Sequence, residues 1–228
     1  MQSNQDVNGI VRAIISFTDS DTKNKQRKQN EQSESEQTTS ITKVITNLQS
    51  VKEQIQYNNG CKQVIRIPKL LQSLVTLVTF RLGTHLREQT DLLRLKARRQ
   101  SRECLYWIQR YGDAYVQSEL VNIGYERVMT LSLCTAGGIG DEKDEEINVG
   151  LFHIFCFLKE LYEGRTWQPS FQPFPLLARV SLEQIEEEGA IEEIEAQMNN
   201  KGVNGRINGW ANNAKAVTLN CFIHRGRT

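Results

Sequence analysis

Apolar residues return every three or four positions along most of this chain, and that rhythm defines its elements. Ile41, Val44, Ile45, Leu48, Val51 and Ile55 lay one stripe along a helix over 41–57, with Ser40 placed to cap it and Asn58-Asn59-Gly60 to stop it. Further helices are predicted over 7–18, 67–80, 85–111, 114–123, 125–135, 144–162, 177–188, 190–199 and 207–223. Pro68 suits the first turn of its helix, where its missing N–H leaves no bond unmade. No alternating apolar segment is long enough for a sheet, so the fold class is all-α. Core positions are expected at Leu92, Leu93, Leu95, Cys104, Leu105, Trp107 and Ile108 of the 85–111 helix. In the 144–162 helix they are Ile147, Val149, Leu151, Phe152, Ile154, Phe155, Leu158 and Leu161, and in the last helix Trp210, Ala214, Val217, Leu219, Phe222 and Ile223.

Residues 19–40 break the rhythm. They are almost wholly polar and lack an aromatic residue, and ordering each residue costs roughly 1–2 kcal/mol of backbone entropy. The expected organisation is a short N-terminal helix (1–18), a disordered polar linker (19–40) and one helical domain (41–228). The glycine-rich stretch 136–140 reads as a flexible connector, and the proline- and aromatic-rich segment 165–176 as an irregular loop packed on the helices.

A pattern recurs within the domain. Residues 118–133 and 183–198 each hold a short helix, one glycine (Gly124, Gly189) and a second amphipathic helix, and a longer helical run follows each pair. Units of this kind leave an apolar face that only a neighbouring unit can cover. The strings Ile67-Pro68-Lys69-Leu70-Leu71-Gln72-Ser73-Leu74, Leu120-Val121-Asn122-Ile123-Gly124 and Ile185-Glu186-Glu187-Glu188-Gly189-Ala190-Ile191 resemble armadillo repeats, and residues 188–196 are similar to the last repeat of importin-alpha-like proteins. The resemblance implies a short right-handed α-solenoid, an armadillo-like superhelix of about three units. Matching Pro68 to the family register puts Ile65 at the first hinge. The intervals from there to Gly124 and Gly189 exceed the ~40–47 residues of armadillo and HEAT units, so insertions are implied at 81–96, 136–143 and 165–176. The asparagine ladder of peptide-reading armadillo proteins falls here on Arg110, Glu160 and Cys221, so backbone recognition is not carried over.

Charge and chemistry narrow the function. The net charge of +1 argues for neither nucleic acid nor an anionic membrane. The apolar stretch from Val64 to Phe80 is broken by Arg66, Lys69 and Gln72, and a span needs ~20 apolar residues, so no membrane segment is expected. Five scattered cysteines without a Cys-x-x-Cys suit a reducing interior, cytoplasmic or nuclear. His153 with Cys156, and Cys221 with His224, sit one helical turn apart, but zinc would need both pairs together, and packing explains them better. A thiol-dependent enzyme would need an exposed, electropositive cysteine, which these apolar helices do not offer. The acidic runs 141–146 and 186–195 diverge on outer helix faces, and Gly137-Gly138-Ile139-Gly140 lacks the Lys-Ser or Lys-Thr of a phosphate loop. No cofactor, metal or catalytic residue is assigned.

The expected function is protein–protein interaction or scaffolding, with a partner peptide or helix lying along a concave surface made by the third helices (97–111, 144–162 and 207–223). The expected contacts are Arg99, Arg102, Gln109, Arg110, Lys159, Glu160 and Lys215, all expected to face outward. The alternative is RNA binding by the basic helix around 94–102, where Arg94, Lys96, Arg98, Arg99 and Arg102 would form a cationic strip.

Overall fold

A computed structural model of the chain describes residues 4–27, 34–57, 61–67, 69–81, 87–134, 144–202 and 205–220. Among these residues the chain is helical, and its one β-type pairing is an isolated antiparallel bridge between Arg165 and Phe171. The helices are α1 (Asn4–Arg27), α2 (Glu34–Tyr57), α3 (Cys61–Ile65), α4 (Leu70–Val78), α5 (Glu88–Tyr111), α6 (Ala114–Asn122), α7 (Tyr125–Cys134), α8 (Asp144–Glu163), α9 (Pro175–Glu187), α10 (Ala190–Gln197) and α11 (Arg206–Asn220).

The chain divides into two compact units, Met1–Gly112 and Asp113–Thr228. The sequence had assigned 41–228 to one domain. The boundary falls at Gly112-Asp113, between the helices expected over 85–111 and 114–123. Asp113 caps α6 by accepting the Val116 N–H at 3.3 Å.

In unit 1, α1 packs on α2 and α4, and α5 packs on α2 and α4. The short α3 touches all four of these helices. All six stripe residues of α2 are buried, from Ile41 to Ile55. Val7, Val11 and Ile14 of α1 meet the same core, and at the next turn the buried Thr18 and Ser73 hydroxyls hydrogen-bond at 2.9 Å. Unit 2 repeats this order. α7 packs on α8 and α10, α11 packs on α8 and α10, and α9 touches α7, α8 and α10, while α6 lies against α7 and α9.

The residue opening α4, α7 and α10 is left-handed in each case: Lys69 (φ 68°), Gly124 (φ 76°) and Gly189 (φ 68°). That conformation turns the chain sharply from one short helix into the next, and it is cheap for glycine but strained for lysine. The first hinge is therefore Lys69 and not Ile65, which ends α3.

Two further expectations are corrected. Residues 19–27 continue α1 and 34–40 begin α2, so most of the expected linker is helical; residues 28–33 lie outside the described residues. Asp21 explains part of this, because its carboxylate takes the Arg81 guanidinium at 2.6 Å and ties the polar end of α1 to the end of α4. On α5, Leu92 is half exposed, and the stripe runs instead through Thr90, Arg94, Ala97, Arg98, Ser101, Leu105 and Ile108. Leu92 stands on the opposite side of that helix.

Candidate partner-binding surface

The basic strip expected on α5 is not a surface. Arg94, Arg98 and Arg102 share one helical face and are 5%, 0% and 3% exposed. Burying a guanidinium requires acceptors. Arg98 donates to the Phe80 carbonyl at 3.4 Å, one of the orphan acceptors beyond α4, and Arg94 lies 3.4 Å from the Asp91 carboxylate. Ser101 donates to the Leu74 carbonyl at 2.7 Å and thereby pins α5 to α4. Of the strip, Lys96 is exposed and Arg99 is half-buried.

The expected contact residues divide between the units. In unit 1, Arg102 and Gln109 are buried and do not face outward as expected, because both fall beside the inward stripe of α5. Arg99 and Arg110 are half-buried, and Arg99 lies 3.6 Å from Glu103. In unit 2, Lys159 is exposed, 5.6 Å above the Phe155 ring and 3.9 Å from Glu163. Glu160 is committed elsewhere: it accepts from Arg165, whose side chain is fully buried. Lys215 of α11 is ion-paired with Glu195 of α10.

The structure adds an aromatic cluster that the sequence assigned to the core. Phe152 and Phe155 of α8 and Trp210 of α11 are all half-buried. The Phe152 and Trp210 rings meet edge to face at 4.8 Å, and Phe155 stands 5.7 Å from Trp210. Asn148, Phe152, Phe155 and Lys159 run together along one edge of the buried stripe of α8 formed by Ile147, Leu151, Ile154, Leu158 and Leu161. That edge was readable from helical angle but not from hydropathy. Unit 1 has a comparable group, in which Trp107 stacks on Tyr111 at 5.5 Å and meets Tyr106 at 5.2 Å, all half-buried.

The loop between α8 and α9 is built around Arg165. Its guanidinium lies 4.4 Å from the Trp167 ring and 4.6 Å from the Phe171 ring. Arg165 and Phe171 exchange backbone hydrogen bonds of 2.8 and 3.0 Å, and Phe174 N–H donates to the Leu161 carbonyl at 2.7 Å. Phe171 is buried, as the packed-loop reading expected, and Trp167 keeps more than a third of its surface in solvent.

Candidate chemistry finds little support in the described residues. No group of three or more His, Cys, Asp or Glu residues there is placed to hold a metal ion, and Cys221, His224 and the 136–143 connector lie outside them. Burial pushes the Cys104 thiol up to about 12, with Glu103 adding to the rise, and its Sγ donates to the Leu48 carbonyl at 3.3 Å. Such a thiol is a packing group and not a nucleophile. Within 186–195, Glu187 and Glu188 pair with Arg127 at 2.6 and 2.7 Å. Among the described residues no helix is long and apolar enough to cross a membrane. No family model matches the chain, and neither the curated proteins nor the solved structures hold a significant match to it.

Proposed function

We propose that the chain is an armadillo-like helical-repeat module that binds a protein partner, a peptide or a helix, along its third helices and carries out no chemistry of its own. The observation that carries this reading is the half-buried cluster of Phe152, Phe155 and Trp210, joined by the exposed Lys159, on the packed pair α8 and α11. Aromatic side chains with a polar neighbour are the groups that dominate protein interfaces. The repeat reading is supported by the order of packing, with α10 on α7 and α11 on α8, and by the left-handed hinges before α4, α7 and α10. RNA binding would need the α5 cations at the surface, and three of the five are buried.

A photo-reactive residue placed at Lys159, with exposed Thr46 as the control position, tests the proposal in cell lysate. The expected result is a discrete protein adduct at 159 that Trp210→Ala reduces at least several-fold. Equal labelling at both positions, or labelling indifferent to Trp210→Ala, would overturn it.

A further inference from the structure

Glu126 stands in the first turn of α7 with 0% exposure, and neither of its carboxyl oxygens has a hydrogen-bond partner among the described residues. α7 is enclosed by α6, α8, α9 and α10. None of these helices supplies a counter-charge to the carboxyl. Arg127, the adjacent cation, is directed to Glu187 and Glu188. The buried titratable groups of α8 are Glu146 and His153. α6 brings the half-buried Glu119, and α9 and α10 bring Arg179, paired with Glu183, and glutamates that are exposed or half-buried. A carboxylate in such a place would be a buried anion without a donor, whereas a carboxylic acid is far less costly there.

We propose that Glu126 is an internal proton switch: unit 2 closes around the neutral carboxyl and loosens when that carboxyl ionises. Desolvation alone holds the folded-state carboxyl well above its ordinary value of 4.5. The sign follows from proton counting. Between the ordinary value and the raised one, the unfolded chain has released this proton while the folded chain keeps it. Raising the pH through that interval therefore favours unfolding, by up to about tenfold in the folded-to-unfolded ratio per pH unit. Below the interval the full stability is present, and above it the loss levels off.

The test compares the pH dependence of denaturant unfolding in the full chain and in Glu126→Gln, which keeps the shape and cannot ionise. The wild-type curve is expected to fall with pH by up to about tenfold per unit relative to the variant. Parallel curves would overturn the switch. Carbon-13 NMR of the glutamate carboxyls in the folded wild-type chain decides the matter even if the variant fails to fold. One carboxyl titrating far above the rest supports the proposal, and all of them titrating in the ordinary range sinks it.

Discussion

The two units pack their helices in the same order but fill their interiors differently. In unit 1 the helix that closes the order is α5, whose inward face carries Arg94, Arg98 and Ser101 beside Leu105 and Ile108. In unit 2 its counterpart in that order is α11, which buries Ile207, Ala211, Ala214, Val217 and Thr218. One arrangement is therefore kept by directional bonds to backbone carbonyls in the first case and by apolar packing in the second. The lesson is that the same packing order does not require the same core chemistry.

The largest effect should come from breaking the apolar side of the comparison. Phe157 is fully buried and meets the Tyr125 ring at 4.6 Å. Phe157→Ala should cost about 3–5 kcal/mol in denaturant unfolding. Arg98→Ala tests the polar side, because it strands the Phe80 carbonyl and leaves a void; about 2–4 kcal/mol is expected in the same assay. Arg98→Met should recover part of that loss, since it refills the volume while leaving the Phe80 carbonyl without its donor. A smaller effect is expected at Gly164, at φ 75°, where an added Cβ would stand 2.7 Å from the Phe171 carbonyl oxygen. Gly164→Ala should cost about 1–3 kcal/mol by thermal unfolding and loosen the Arg165 loop. The smallest change sharpens the hinge comparison. Lys69→Gly should stabilise unit 1 by roughly 0.5–1 kcal/mol, because unit 2 already places glycine at both of its equivalent turns.

Much of the fold was legible where hydropathy and helical spacing agree. The α2 stripe, the break at Gly112 and the hinge glycines of α7 and α10 all came from local pattern. What escaped depends on pairing across the chain. The polar end of α1 gave no local reason to be helical; its support is Arg81, sixty positions on. The α5 arginines read as solvated because their burial comes from packing against other helices, and the acceptor of Arg98, the Phe80 carbonyl, lies beyond the end of α4. The candidate surface escaped for the opposite reason. Phe152, Phe155 and Trp210 are apolar enough to be taken for core, and only their angle around α8 and α11 sets them at its edge.

The three tryptophans fall in three separate settings: Trp107 in the aromatic stack of α5, Trp167 against the Arg165 guanidinium, and Trp210 in the α8–α11 cluster. Replacing two at a time with phenylalanine would leave a chain with one tryptophan at a chosen address, excited selectively over the six tyrosines at the red edge of absorption. Emission from such chains would separate melting of the first unit, fraying of the loop and occupancy of the candidate surface, with no external dye.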